Sequence, residues 1–191
     1  MAKKMRLAIG ITGASGAVYG IRLLEVLKEH NVETHLIITQ WGAKMIRYET
    51  ELAVDDVKAF ASYVYDDKDL AASLSSGSFQ FDGMVVIPCS MKTIAGISAG
   101  YTSTLLTRAA DVALKEGRKL ILVPRETPLS AIHLKNLLEL SRLGVIILPA
   151  MPGFYHEPKS ISDLVDQIVG KVLDQFDLEH TLYKRWQSAP E

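Results

Sequence analysis

The start of the chain joins a short apolar run, a glycine-rich turn and an amphipathic segment. Residues 5–11 are mostly apolar, Thr12–Gly–Ala–Ser–Gly16 follows, and apolar positions from Val18 to Leu27 then recur at helical spacing. This order predicts a buried strand, a tight turn and the beginning of a helix. Free N–H groups and the positive end of the helix dipole meet at such a turn, which makes it a candidate phosphate site. We expect Gly13 and Gly16 to let the backbone approach the ligand and Ser15 to add a hydroxyl.

The turn does not have the spacing of a dinucleotide site. It lacks the GxGxxG pattern, and no acidic residue clearly ends the second predicted strand, where a ribose would be bound. The sequence therefore favours a mononucleotide phosphate over NAD. Taken alone, the turn is equally consistent with a plain strand–helix connection.

Strand and helix patterns alternate along the rest of the chain. This alternation predicts a three-layer α/β fold, a mainly parallel sheet with helices on both faces, in a single domain over residues 1–191 with a C-terminal tail from about 177. The segment 51–80 is less regular, and we expect short helices and a loop there. The predicted strands are 5–11, 33–39, 83–88, 119–123 and 144–148, and the predicted helices are 16–29, 40–48, 103–116, 130–142 and 160–176.

Composition excludes several classes of partner. The 21 Lys and Arg nearly balance the 22 Asp and Glu, so no strong field attracts nucleic acid or a membrane surface. No apolar run is long enough to span a bilayer, and the first four residues lead directly into a strand pattern rather than a signal peptide. The single cysteine, Cys89, excludes an internal disulfide, and we expect a cytoplasmic protein.

Polar residues follow each predicted strand, at the edge where ligands of open α/β sheets bind. Hydroxyls, basic side chains, a carboxylate and a tyrosine are therefore expected to converge on one rim, as a phosphate-bearing ligand requires. In chain order these are Ser15, Thr39, Ser90, Lys92, Thr93, Arg125, Glu126 and Tyr155. The histidines are too scattered for a metal site, and His35 is expected only to pack within its strand.

Several long motifs, in order, resemble the flavin prenyltransferases of the UbiX type. Besides the glycine-rich turn they are Pro88–Cys–Ser–Met–Lys–Thr, Arg108–Ala–Ala–Asp–Val–Ala–Leu–Lys115, Val123–Pro–Arg–Glu–Thr–Pro and Pro152–Gly–Phe–Tyr–His. The resemblance extends from about Arg6 to Trp186. It implies a Rossmann-like flavoprotein that transfers a dimethylallyl group from dimethylallyl monophosphate to N5 and C6 of reduced FMN, without a metal. It also implies a homododecamer with sites at subunit boundaries, whose prenylated FMN serves a UbiD-type decarboxylase.

The resemblance also assigns residues by position. FMN contacts fall on Gly13, Ala14, Ser15, Thr39, Ser90, Met91, Lys92, Thr93 and Arg125. Contacts to the prenyl phosphate fall on Tyr155 and Lys171, with Arg108, Lys115, Glu49 and Arg125 nearby. Ser15 and Glu126 resemble a pair that handles protons, and Trp186 matches a family aromatic residue.

The chemistry explains why such residues would be used. Breaking the allylic C–O bond adds negative charge to the phosphate, which fixed cations stabilise, while an aromatic face stabilises the cationic allyl group. Glu126 can carry the N5 proton to the phosphate, and because neighbouring Arg125 favours its ionised form, we expect burial to tune its pKa as well. Leu70 stands where part of the family has tryptophan, so Trp186 is expected to replace it.

Simpler interpretations remain for individual residues and for the whole protein. Lys115 ends a predicted helix, where its charge suits the helix dipole without any ligand. Arg108 and Asp111 have the spacing of a surface ion pair. Lys171 lies on an amphipathic helix, where a lysine ordinarily faces solvent. A flavin-dependent decarboxylase acting directly on an aromatic acid or a cysteine substrate is one alternative, and a non-catalytic FMN carrier is another.

Overall fold

The computed structural model describes residues 4–186 and contains a six-stranded sheet in which every neighbouring pair is parallel. The strand order is β3-β2-β1-β4-β5-β6. The predicted α/β fold is confirmed. The strands are β1 (Arg6–Ile11), β2 (Glu33–Ile38), β3 (Tyr63–Tyr65), β4 (Gly83–Cys89), β5 (Lys119–Pro124) and β6 (Ile146–Ile147).

Within residues 4–186 there are seven α-helices, the last of which follows the final strand. Hydroxyl side chains cap the N-termini of five of them, which is why these helices begin where they do. No helix within residues 4–186 is long and apolar enough to cross a membrane. The helices are α1 (Ala17–Glu29), α2 (Gln40–Glu49), α3 (Val54–Lys58), α4 (Met91–Ser98), α5 (Leu105–Lys115), α6 (Ala131–Arg142) and α7 (Ile161–Asp174).

The irregular segment between α2 and β4 was predicted only in part. It contains the expected short helix, α3, and a 3₁₀ turn at Ser73–Ser75. It also contributes β3, which the sequence did not reveal because this edge strand has only three residues and two of them are exposed. The last strand is shorter than predicted, because Val145 donates its N–H to Leu140 O and not to the sheet.

Two apolar layers lie on opposite faces of the sheet. Alternate side chains of β4 and β5 belong to different layers, as the period of a strand requires. Helices α1 and α7 pack on one face, with Leu24 and Val169 in its core. Helices α4 and α5 pack on the other, with Ile94 and Ala109 in its core. We call these the α7 face and the α5 face.

The connections reverse direction between β1 and β4, since β2 lies on one side of β1 and β4 on the other. Loops leaving the carboxyl ends of β1 and β4 therefore separate to opposite faces and open a crevice between them. Ligands of open α/β sheets bind at such a crevice. The fold thus places the glycine-rich turn at the expected site edge.

Helix α1 crosses β4 at a glycine, which yields the first testable prediction. A Cβ added at Gly20 would lie 2.4 Å from the Ile87 carbonyl oxygen, whereas the nearest atom to a Cβ at Gly96 of α4 is 3.6 Å away. We expect Gly20→Ala to lower the free energy of unfolding by about 1–3 kcal/mol through overpacking. Gly96→Ala is the matched control and should raise it by up to ~1 kcal/mol through helix propensity. Urea denaturation measures the free energy of unfolding of both variants. Equal changes in the two would contradict the close crossing of α1 and β4.

Candidate functional site

Three loops at the carboxyl edge are joined to one another by hydrogen bonds. The buried Thr12 hydroxyl donates to Pro88 O at 2.8 Å and accepts from Ser90 N–H at 2.8 Å. The backbone N–H of Arg125 donates to Cys89 O at 3.4 Å. The turns after β1, β4 and β5 therefore form one continuous rim, as the sequence predicted.

The side chain of Arg125 reaches back across this rim. Its Nε donates to Ser15 O at 3.2 Å, which fixes a guanidinium beside the glycine-rich turn. Glu126 follows it, and its Oε1 accepts from the Thr127 N–H at 3.1 Å. Glu126 is exposed, so the single chain does not supply the burial expected for this carboxylate. The reason is that the loop after β5 is covered by no other element of the described chain.

The N-terminus of α1 already holds an anion from the protein itself. Glu49 Oε2 accepts from Gly16 N–H at 2.8 Å and from Ala17 N–H at 2.9 Å. A carboxylate at a helix N-terminus is favoured by the helix dipole. The prediction that these N–H groups form a phosphate site is therefore corrected, since Glu49 at the end of α2 satisfies them.

The two glycines of the turn are required by the fold. A Cβ at Gly13 would lie 2.4 Å from Trp41 Cβ, so this position is small because α2 packs against it. Gly16 has φ of 109°, a conformation that favours glycine. Both positions therefore need glycine for the fold, and the expected approach of a ligand to them stays a prediction.

Two other helix N-termini flank the turn and have hydroxyl groups. Helix α2 begins after β2, where Thr39 Oγ1 accepts from Gly42 N–H at 3.0 Å. Helix α4 begins after β4, where the hydroxyls of Ser90 and Thr93 lie 3.0 Å apart. Because β2 and β4 are the neighbours of β1, these positive helix ends lie on either side of Ser15. They can receive a phosphate.

The neighbours of these caps differ in exposure. Met91 is buried and Lys92 is exposed at the beginning of α4. Ala14 is also buried, so Ala14 and Met91 can offer a ligand only part of their surface. Within residues 4–186 no group of three metal-ligating side chains is present.

The loop after β6 continues the rim toward the α7 face. Ala150 N–H donates to Pro124 O at 3.0 Å, and Gly153 N–H donates to Gln167 Oε1 at 2.5 Å. These bonds hold Tyr155 beside α7, where its ring meets that of Trp186 edge-on with centroids 5.6 Å apart. Both rings are partly exposed, so two of the predicted site residues form one aromatic surface.

Asp174, the last residue of α7, anchors the tail that carries Trp186. Its carboxylate accepts from Tyr183 Oη at 2.7 Å and Arg185 Nη2 at 2.6 Å and lies 3.1 Å from His180 Nε2. Burial raises the pKa of Asp174, but hydrogen bonds from Arg185, Tyr183 and His180 outweigh it and lower the pKa to about 2. Lys171 Nζ lies 3.6 Å from the same carboxylate.

Sequence reasoning missed Asp174, although a signal was present. An acidic side chain in the last turn of a helix is unfavourable to the helix dipole, so such a residue requires partners elsewhere. The basic and aromatic residues of the tail supply those partners. Their positions could not be read from periodicity, because the tail has no regular secondary structure.

The two cations of α5 lie apart from the rest of the site. Arg108 donates through Nε to Ser75 O at 3.1 Å and through Nη1 to Asp111 at 2.7 Å. Lys115 is at the far end of α5, close to the amino end of β5, and its Nζ lies 2.6 Å from a Glu116 oxygen. Both project from the α5 face, so one chain does not bring them to Tyr155 and Lys171 on the α7 face.

Similar proteins were found for nearly the whole chain. The model of the Flavoprotein family matches residues 1–173. The mitochondrial flavin prenyltransferase of Saccharomyces cerevisiae is 56% identical over 95% of this chain and 75% of its own. A dodecameric FMN-dependent UbiX-like decarboxylase from Escherichia coli O157:H7 is 56% identical with a TM-score of 0.95, covering 96% of this chain and 100% of its own. AnUbiX in complex with FMN and dimethylallyl pyrophosphate is 49% identical with a TM-score of 0.97, covering 98% of this chain and 100% of its own.

The anchor at Asp174 predicts a pH-dependent contribution to stability. Because its pKa is lower in the folded state, Asp174 stabilises the fold above its ordinary pKa, and this contribution is lost as pH falls toward 2. We expect Asp174→Asn to lower the free energy of unfolding by about 2 kcal/mol at pH 7 and by less at pH 3. Denaturant unfolding at both pH values measures this.

Asp177→Asn is the matched control for Asp174→Asn. Asp177 is exposed, has φ of 55°, which asparagine tolerates, and its side chain has no hydrogen bond or ion pair among the described residues. It should leave stability nearly unchanged. A loss for Asp174→Asn that is the same at pH 7 and pH 3 would contradict the anchor.

Proposed function

The chain belongs to the UbiX-like flavin prenyltransferases of the Flavoprotein family, and we propose that it transfers a dimethylallyl group to N5 and C6 of reduced FMN. The prenyl donor is dimethylallyl monophosphate. The observation that carries the proposal is the rim itself, where Arg125 is bonded to Ser15 between two hydroxyl-capped helix N-termini. A relative with almost the same fold binds FMN and dimethylallyl pyrophosphate.

The rim residues fit an FMN ligand. The N-termini of α2 and α4 offer N–H groups and the hydroxyls of Thr39, Ser90 and Thr93 to its phosphate. The exposed Lys92 adds positive charge. Reduced FMN, when bound, supplies the nucleophilic N5 and C6 atoms. The contacts proposed for it remain Gly13, Ala14, Ser15, Thr39, Ser90, Met91, Lys92, Thr93 and Arg125.

The residues proposed for the prenyl phosphate must come from more than one chain. Arg108 and Lys115 extend from the α5 face, whereas Tyr155 and Lys171 lie on the α7 face of the same sheet. A single phosphate ion cannot contact both groups of one chain through the sheet. We therefore place the site at a subunit boundary, in a homododecamer such as the one formed by the relative from Escherichia coli O157:H7.

These cations would act on the leaving group. The departing phosphate gains negative charge as the C–O bond breaks, and Lys115, Arg108, Lys171 and the Tyr155 hydroxyl stabilise that charge at fixed positions. Arg125 contributes from the rim, where it is already held by Ser15 O. This set of cations performs the task without a metal ion.

Glu126 and Ser15 would handle the proton. Glu126 is next to Arg125 on the rim and is exposed in the single chain, so it is free to meet a ligand or a neighbouring subunit. It takes the N5 proton and gives it to the phosphate. We assign Glu49 a supporting role, because its carboxylate fixes the N-terminus of α1 directly after Ser15.

The aromatic pair formed by Tyr155 and Trp186 is proposed to face the allyl group. Its partly exposed rings can stabilise a cationic fragment by cation–π attraction. Leu70, where part of the family has tryptophan, is itself exposed and not part of this surface. The product would pass to a UbiD-type decarboxylase in the cytoplasm, a compartment that suits the one buried thiol at Cys89.

Anaerobic incubation with reduced FMN and dimethylallyl monophosphate tests the activity. We expect the mass of the flavin to increase by one dimethylallyl unit, and Glu126→Gln to slow this by about 10²–10⁴-fold through loss of proton transfer. Glu157→Gln, an exposed carboxylate after Tyr155, is the control. No mass gain with monophosphate or diphosphate rejects the proposal. Release of carbon dioxide from an aromatic acid without a partner would instead favour direct decarboxylation.

Mixed assemblies test whether the site is shared between chains. Lys115→Ala and Tyr155→Phe should each lose most activity as homo-oligomers, because each lacks one phosphate contact. When the two variants are unfolded and reassembled together at equal amounts, roughly a quarter of the sites should combine the two intact contacts. Activity of the mixture above the sum of the two variants supports the shared site. Failure to recover any activity, with wild-type protein recovering in parallel, would contradict it.

A further inference from the structure

A partly buried path of hydrogen bonds at the edge of the sheet has no role in the reaction described so far. His35 of β2 is 2% exposed, and the expectation that it only packs is incomplete, because both ring nitrogens have partners. Its Nε2 lies 2.9 Å from Glu33 Oε1, and its Nδ1 lies 2.8 Å from the Tyr65 hydroxyl of β3. Arg6 Nε donates to the same Glu33 oxygen at 2.5 Å. Burying such groups costs free energy unless each of them is hydrogen-bonded, as these are.

This path of hydrogen bonds continues out of the sheet to one of the proposed phosphate contacts. The Tyr65 hydroxyl lies 3.1 Å from Ser73 Oγ, at the beginning of the 3₁₀ turn Ser73–Ser75. The carbonyl at the end of that turn, Ser75 O, accepts from Arg108 Nε at 3.1 Å. A connected path of hydrogen bonds and one short turn therefore leads from His35 to the guanidinium.

The guanidinium of Arg108 is held so that part of it stays available. Nε is bound by Ser75 O and Nη1 by Asp111, while Nη2 has no hydrogen-bond partner in the described part of the chain. The side chain is 36% exposed. The Nη2 donor of Arg108 is therefore available, and the bond from Nε to the 3₁₀ turn fixes its direction.

The donor directions along the path are consistent with one another. The Arg6 guanidinium and His35 lower the pKa of Glu33, so this carboxylate is ionised and accepts from His35 Nε2–H. Burial lowers the pKa of His35, which keeps the ring neutral at pH 7 and leaves Nδ1 as an acceptor for the Tyr65 O–H. Tyr65 in turn accepts from Ser73. Every buried group in the path is paired.

We propose that His35, acting through Tyr65 and Ser73, is a positioning residue that orients Arg108 toward the phosphate of the prenyl donor. The inference rests on the proposed function, since it gives Arg108 a phosphate ligand. Aromatic packing alone does not explain the path. The stacked ring of Tyr63, 4.8 Å from His35, supplies such packing without any hydrogen bond from its hydroxyl to residues 4–186.

Removal of the Tyr65 hydroxyl tests the proposal in the fully assembled protein. Tyr65→Phe should raise KM for dimethylallyl monophosphate, and Kd for inorganic phosphate, by about 5–10-fold through loss of one hydrogen bond. It should also lower kcat by a comparable factor, because a displaced Arg108 stabilises the charge that develops on the leaving phosphate less well. Tyr63→Phe is the matched control: it removes a hydroxyl from a second ring stacked on His35 and should change neither constant. Ser73→Ala should reproduce the effect of Tyr65→Phe.

A double-mutant cycle separates positioning from a merely structural role. In an Arg108→Gln background, Tyr65→Phe should change Kd for inorganic phosphate by less than about twofold, since it acts through Arg108. Hydrogen exchange over residues 73–80 should rise in Tyr65→Phe whichever residue stands at 108. An equal loss of affinity in both backgrounds, or no change in affinity with Tyr65→Phe, overturns the proposal.

The outcomes also distinguish this inference from the proposed function. If Arg108→Gln binds phosphate as tightly as the unchanged protein, the inference fails, even where prenyl transfer by the unchanged protein still supports the proposed function. If the unchanged protein transfers no prenyl group, the proposed function fails, while coupling between Tyr65 and Arg108 in phosphate binding would still support the positioning path.

Discussion

The hydroxyl of Thr12 is the interaction on which the site geometry depends. It is buried at the end of β1 and bonds both sides of the turn that follows β4. The backbone N–H of Thr12 also donates to Pro88 O at 3.3 Å, so the backbone and the hydroxyl of one residue together join the ends of two neighbouring strands. With the turns joined there, Arg125 can reach Ser15, and the N-termini of α2 and α4 are held on either side.

Charges at the predicted site are already paired within the chain. Glu49 occupies the N-terminus of α1, and each of the outlying cations has an acidic neighbour in its own helix or next to it. Arg108–Asp111 and Lys115–Glu116 are exposed pairs of a kind that contributes only ~0–1 kcal/mol to stability, so a phosphate that bound these cations instead would cost little stability. The basic groups are thereby kept ordered before a ligand arrives. The three pairs are Arg108–Asp111, Lys115–Glu116 and Lys171–Asp174.

The sheet divides the proposed phosphate contacts between its two faces. Side chains on the α5 face and the α7 face are separated by the full thickness of the sheet and its two apolar layers. A site that needs both groups is incomplete in one chain. The path from His35 to Arg108 would orient a side chain that one subunit offers to another in the proposed site.

The sequence by itself determined most of the framework, because strand and helix periods, hydroxyl caps and glycine-rich turns are local signals. Residues 5–16 predicted β1, its turn and α1, and the polar residues after each strand predicted the rim. Local signals could not predict the three-residue β3 or the pairing of His35 with Tyr65, which is distant along the chain, and they did not show which tail residues bind Asp174. Only the tertiary structure decided that Glu49 fills the N-terminus of α1 and that Arg108 and Lys115 lie on the face opposite Tyr155. The physical reason is that each crossover helix packs on one side of the sheet or the other, a choice set by chain topology and not by the pattern within any single helix.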